Sequence, residues 1–167
     1  MPYLEPNYNF LNLFGVFYKM IFKKFKTYHI KRISQVTTKT LKELSVLLLQ
    51  WRKGTMISLP YLRLLLKKSY MLGLYCDSKI IGIVTLVPAY KVSGRKGFVE
   101  HLIVDEKYRG RGLGKQLMLS AIALGKKLKM DTLFLTCSRE RVVANSLYKK
   151  LGFKIKETNF YQLKMEK

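Results

Sequence analysis

Between Val104 and Leu128 the chain leaves an apolar run, passes through Arg109-Gly110-Arg111-Gly112-Leu113-Gly114 and enters a segment with apolar residues at helical spacing. Gly110, Gly112 and Gly114 occupy alternate positions where that helix begins, so several backbone N–H groups are presented with no side chain in the way. Such a turn is a cradle for an anion. The helix dipole and the cations Arg109, Arg111 and Lys115 favour a pyrophosphate or phosphate ester there. Two other phosphate-binding patterns fail on spacing. A P-loop needs Gly-Lys-Ser/Thr, but Gly114-Lys115 is followed by Gln116, and Arg109 stands where its first glycine should be. A dinucleotide fingerprint needs G-x-G-x-x-G after the first strand of a βαβ unit; here the glycines run G-x-G-x-G after a later strand.

The elements that must position this turn are legible from periodicity. A short strand over Tyr28 to Ile33 is followed by a helix from about Lys39 to Gln50, with Thr38 as its N-cap. A second helix spans Leu59 to Lys68, with Pro60 in its first turn. Met71 to Cys76 and Ile80 to Tyr90 form a hairpin, and the turn Ser93 to Gly97 reverses the chain into a strand over Phe98 to Val104. Leu113, Leu117, Ala121, Leu124 and Leu128 then mark one face of a long helix. Thr132 to Cys137 is a strand, Ser138 caps a helix over about Arg139 to Leu151, and Phe153 to Lys156 and Tyr161 to Met165 close the chain as strands. This order predicts an α/β (α+β mixed) domain: a central mixed sheet of about six to seven strands flanked by about four helices.

A second stretch, Ala144-Asn145-Ser146-Leu147-Tyr148-Lys149-Lys150-Leu151-Gly152-Phe153, ends in Leu-Tyr-x-x-x-Gly-Phe. Together with Arg-x-x-Gly-x-Gly on Arg109, Gly112 and Gly114, preceded by His101-Leu102-Ile103-Val104-Asp105, it closely resembles the signatures of the GNAT superfamily of N-acetyltransferases. The resemblance covers about Val99 to Lys164. It implies acetyl-CoA as cosubstrate, no metal, and direct transfer of the acetyl group to a primary amine of a small molecule or peptide. It also implies that the backbone of Leu102, Ile103 and Val104 pairs with the pantetheine arm as an added strand. Arg109, Gly110, Arg111, Gly112, Leu113, Gly114 and Lys115 would wrap the diphosphate.

Amine attack on a thioester needs a deprotonated nitrogen, a stabilised carbonyl oxygen and a protonated leaving thiolate. By resemblance, Tyr148 protonates the sulfur and Asn145, one turn earlier, contacts CoA; the competing readings are a ring packed on the sheet and a local backbone cap. Glu100 is the candidate base, acting directly or through water, against a structural carboxylate on a half-buried strand. In strict alternation Glu100 shares a face with Phe98 and Leu102, and His101 the other with Val99 and Ile103, so only one of the pair faces the amine. Cys137, with no histidine near it in sequence, reads as a small core residue and not as an acyl-enzyme nucleophile. Asp105 and Glu106 flank the glycine turn and temper its charge or cap it.

The 167 residues suffice for one core. They divide into an N-terminal apolar and basic extension, 1–27, and a single acetyltransferase domain, 28–167. Phe10 to Phe22 is too short to span a bilayer and lacks the features of an export signal, leaving packing, disorder or peripheral membrane association. Cys76 and Cys137 lie in separate apolar runs, which suits a reducing, cytoplasmic setting and neither a disulfide framework nor a zinc site. The 32 Lys and Arg against 10 Asp and Glu give a net charge of +22, spread along the chain as single residues and doublets. That field inclines the acceptor toward one carrying phosphate or carboxylate and away from polyamines. It also leaves an alternative open: a CoA-binding module of little turnover that docks on RNA, a ribosome or an anionic membrane. The assembly is expected to be a monomer or homodimer.

Overall fold

The computed structural model describes residues 26–165; the apolar run 10–22 lies outside the described residues. The chain runs β1 (Tyr28–Arg32), α1 (Thr38–Trp51), α2 (Leu59–Lys68), β2 (Tyr70–Cys76), β3 (Lys79–Lys91) and β4 (Gly94–Val104). A short 3₁₀ turn (Glu106–Tyr108), α3 (Leu113–Lys127), β5 (Thr132–Phe134) and α4 (Val142–Lys150) follow. Five strands form one sheet in the order β1-β2-β3-β4-β5. The first three pairings are antiparallel and β4 with β5 is parallel, so the sheet is mixed.

Side-chain caps start the first two helices. Thr37 accepts the amide of Thr40 at 3.1 Å, one residue ahead of the expected Thr38 cap, and Ser58 accepts that of Tyr61 at 3.3 Å. Each helix then buries one stripe. Leu44, Leu47, Leu62 and Leu66 of α1 and α2 pack with Ile83 and Ile103 on one face of the sheet. Leu113, Leu117, Met118 and Ala121 of α3 pack with Leu72, Leu74, Val84 and Leu86 on the other. Each fully buried leucine contributes about 1.5–3 kcal/mol of transfer free energy, so these two clusters hold the sheet between its helices. No helix among the described residues is long and apolar enough to cross a membrane.

The β3–β4 pair must approach closely. A Cβ on Gly82 would stand 2.9 Å from the carbonyl oxygen of Ile103, a backbone atom that cannot swing aside. Gly82→Ala is therefore expected to destabilise the fold by about 1–3 kcal/mol, a typical overpacking cost. Thermal melting should show a drop of about 2–4 °C for each kcal/mol lost; an unchanged melting temperature would mean that β4 shifts freely.

Several boundaries differ from the sequence reading. The β3–β4 turn is the tight pair Val92-Ser93, and β4 already begins at Gly94. α4 starts at Val142, with Arg141 at the N-cap position and no side-chain cap, so Ser138 does not cap it. The sheet has five strands among the described residues, not six to seven. Residues 153–156 and 161–165 are not strands. A strand needs a ladder partner, and β5, with only three residues, offers almost none. Ile155, Phe160, Tyr161 and Leu163 consequently remain exposed in the tail.

Candidate active site

β4 and β5 pair only from Lys96↔Thr132 to Phe98↔Phe134. Beyond that point they diverge, and from Val99 to Val104 the β5-facing edge of β4 has no strand beside it among the described residues. A cleft of about 760 Å³ opens in the gap. Its floor is Leu102, Ile103 and Val104; one wall is Arg109, Gly110 and the start of α3, and the other is Glu140 to Ala144 with Leu147 of α4. Main-chain groups of a strand edge therefore face a cavity large enough for an extended ligand.

The glycine turn has the conformation its residues suggested. Gly110 and Gly112 take φ of +76° and +73°, in the left-handed region that other residues enter only with strain. A Cβ at either would meet no atom of the described residues within 4 Å, so both look onto open space there. A Cβ on Gly114 would reach Val104 and Leu147 at 3.9 Å, at the point where the walls of the cleft converge. Gly112 is the N-cap of α3 and supplies no side-chain bond, which leaves the amides of the first turn for a ligand. Asp105 does the local capping: its Oδ1 accepts the amide of Lys107 at 3.0 Å. The uncapped α3 terminus, the left-handed glycines and the unpartnered β4 edge all suit a long ligand with a diphosphate at one end.

Seven cradle residues were expected, and Arg109, Gly110, Gly112, Leu113, Gly114 and Lys115 line the cleft. Arg111 turns away: its guanidinium donates to the Tyr28 hydroxyl at 3.2 Å and to the Lys107 carbonyl at 3.3 Å, and lies over the Tyr108 ring. Arg109 is partly committed too, since its Nε donates to the Val104 carbonyl at 3.0 Å. Asn145 directs its Nδ2 to the carbonyls of Ser138 and Arg141 at 2.9 and 3.1 Å, pinning the loop before α4.

Tyr148 packs against the α3-side core, with its ring edge-on to Phe153 at 6.1 Å. Burial raises its pKa above the ordinary 10.0, the nearby Cys137 adds to that rise and Arg141 opposes it. The phenol therefore keeps its proton at neutral pH, as a proton donor must. Cys137 itself is half-buried, with its Sγ 3.5 Å from the Ser138 carbonyl.

Glu100 and His101 depart from strict alternation. The β3–β4 register shifts between Ile83↔Ile103 and Thr85↔Glu100, so β4 carries an extra residue there. Val99, opposite Leu86, belongs to the α3 face, and so do Leu102 and Val104, while Ile103 belongs to the α1/α2 face. His101 occupies the bulge at φ +53° and sets its ring edge-on to Trp51 of α1 at 5.3 Å. Glu100, opposite Thr85, and His101 thus both address the α1/α2 side, so the strict alternation expected of the pair does not hold.

Sequence reasoning missed Gln50 and Trp51, which line the cleft from the end of α1. Gln50 also accepts the Glu106 amide through Oε1 at 3.1 Å, tying α1 to the turn that precedes the cradle. No motif marks either residue; only the packing of α1 brings them here. Among the described residues no group of three or more His, Cys, Asp or Glu could hold a metal ion.

The chain is 29% identical over 86 residues to a spermine/spermidine N(1)-acetyltransferase of Bacillus subtilis, covering 48% of this chain and 57% of that protein. It is 32% identical over 96 residues to a spermidine N(1)-acetyltransferase of Thermoplasma acidophilum, covering 58% and 57%. The matches therefore span little more than half the length of these relatives. Among solved structures, an aminoglycoside acetyltransferase from an uncultured soil metagenomic sample superposes with a TM-score of 0.73 at 16% identity, over 84% of this chain and 97% of that one. The model of the acetyltransferase (GNAT) family matches residues 37–153, and the chain belongs to that family.

Proposed function

We propose that the protein transfers the acetyl group of acetyl-CoA directly to a primary amine of a small molecule or peptide. The observation that carries this is the coincidence of an uncapped, glycine-lined α3 terminus with a β4 edge that lacks a neighbouring strand among the described residues, within one cleft. The amides at the start of α3 and the positive end of its dipole hold a diphosphate. The backbone of Leu102, Ile103 and Val104 takes the pantetheine arm as an added strand, which directs the thioester toward the end of the cleft where β4 bulges. Tyr148 donates a proton to the departing sulfur, and Glu100 serves the incoming amine.

The acceptor enters from the side of Trp51 and Gln50. Polyamine acetylation by the two relatives supports a polycationic acceptor, whereas the net charge of +22 disfavours one. Local charge decides such a contest, since exposed charges beyond about 8–10 Å are screened at physiological salt. Arg109, Lys115 and Arg141 line the cleft together with Glu140, so the charges beside the ligand are mixed and the acceptor class is a matter for the amine panel.

A panel of polyamines, amino sugars, amine-bearing phosphates and short peptides, followed by release of free CoA thiol, tests the activity and the acceptor class together. Amine-dependent thiol release is the expected result. Uptake of acetyl-CoA with no release for any amine would leave a CoA-binding module, and no uptake in calorimetry would remove the cradle reading altogether.

A further inference from the structure

α1 and α2 each bury one stripe against the same face of the sheet: Leu44, Leu47 and Leu48 from α1, Leu62 and Leu66 from α2. Their opposite faces therefore look outward on the same side of the domain. At helical spacing the outward stripe of α1 is Lys39, Lys42, Val46 and Leu49, and that of α2 is Leu64 and Lys68, flanked by Tyr61 and Lys67. All of these are exposed, and so is Met56 in the loop between the two helices, which also carries Arg52 and Lys53. An outward helix face that serves only solvent is polar; this one sets aliphatic side chains among cations.

The charge on this face has one sign. From Thr27 to Cys76 the only acidic residue is Glu43, and it is occupied: its Oε2 accepts the Ile80 amide at 3.1 Å and its Oε1 lies 3.9 Å from Lys39. Lys42, Lys53, Arg63, Lys67 and Lys68 form no ion pair among the described residues. Beside α2 a hollow of about 240 Å³ is lined by Ser34, Val36, Arg63, Leu66 and Lys67, so a hydroxyl and two cations meet at a space with no carboxylate in its lining. Such a set suits a phosphodiester, which a guanidinium binds through paired hydrogen bonds. The sequence that precedes β1 has the same chemistry, an apolar run from Phe10 to Phe22 followed by Lys23-Lys24-Phe25-Lys26. It joins the domain where this face begins: the Thr27 carbonyl accepts the Asp77 amide at 3.2 Å, and Lys39 donates to the adjacent Ser78 carbonyl at 3.2 Å.

We propose that the outer faces of α1 and α2 dock the protein on an anionic lipid bilayer. Val46, Leu49, Met56 and Leu64 enter the boundary between headgroups and acyl chains, while the cations stay at the level of the lipid phosphates. One phosphate occupies the hollow beside Ser34, Arg63 and Lys67. A nucleic acid could use the cations but offers nothing to the aliphatic residues between them, since its single strands stack on aromatic rings. Docking leaves the cleft open, because Val46, Leu49, Met56 and Leu64 do not line it.

The test is cosedimentation of the full chain with vesicles of phosphatidylglycerol and phosphatidylcholine, against vesicles of phosphatidylcholine alone. Binding to the anionic vesicles is expected, with little to the neutral ones, and it should weaken as salt is added. Lys42→Gln with Lys67→Gln should weaken it about 25-fold, because each cation at an anionic surface is worth about fivefold. Leu49→Gln with Leu64→Gln leaves the charge unaltered and should weaken it about tenfold, the effect of keeping two half-exposed leucines out of the lipid. All four positions are exposed and outside the cleft, so acetyl-CoA affinity in calorimetry should be unchanged. Binding to both kinds of vesicle alike, or to neither, overturns the inference. So does anionic-vesicle binding that neither pair weakens, which would leave the docking to residues 1–25. A leucine pair that binds like wild type would reduce the face to a charge patch open to any polyanion, and an RNA oligonucleotide bound more tightly than the vesicles would make nucleic acid the partner; each ends the proposal. A dimer in sedimentation that the leucine pair dissociates would make the face a contact between two copies, with the same consequence.

Discussion

Gly112→Val should weaken acetyl-CoA binding about 100-fold or more while leaving the fold in place. The residue is the N-cap of α3 at φ +73°, and its missing Cβ looks onto open space at the mouth of the cleft. A branched side chain there stands where the phosphate oxygens must approach the amides. Loss of one or two charge-assisted hydrogen bonds, each worth about 1.5–3 kcal/mol, accounts for a change of that size. Backbone strain alone is the rival cause, at about 1–2 kcal/mol, and the structure supplies its control. Gly54 has φ +76°, also with nothing within 4 Å of its Cβ position, but it lies in the loop between α1 and α2 and does not line the cleft. Gly54→Val carries the same strain and should bind acetyl-CoA as the wild type does. Calorimetry on the two variants separates the causes: equal affinities, whether both weak or both intact, would refute the cradle.

Tyr148→Phe should slow acetyl transfer about 100-fold or more in single turnover, the usual contribution of a positioned acid, with acetyl-CoA affinity preserved. Removing the hydroxyl leaves the ring's contact with Phe153 intact, so packing and binding are spared. The pH profile carries the sign. Because burial raises the phenol above 10.0, its proton is retained through neutral and moderately alkaline solution. Activity that depends on this proton should fall only above pH 10, and that alkaline limb should vanish in the phenylalanine variant. An unchanged transfer rate would take the acid role from Tyr148 and leave only its packing against the α3-side core.

The glycine turn was legible because its conformation is local. Alternating glycines at the start of a periodic helix dictate both the left-handed turn and the bare amides, and no distant residue is needed to produce them. The helices were legible for the same reason: Thr37 and Ser58 cap them from within their own turns, and the apolar stripes show which face is buried. Boundaries moved by a residue or two where adjacent Thr residues compete for one cap. The closing strands failed because alternation describes a segment, whereas a strand exists only against a partner, and β5 is too short to provide one.

The sequence by itself determined the glycine turn at the start of α3, the two signatures and the mixed order of strands and helices. Tertiary structure alone decided that Trp51 and Gln50 reach the cleft, that β4 parts from β5, and that Glu100 and His101 share a side. The last of these turns on one inserted residue. Side-chain direction along a strand has a period of two, so a bulge reverses every assignment beyond it, and the bulge is set by the register against β3, not by residue types near His101.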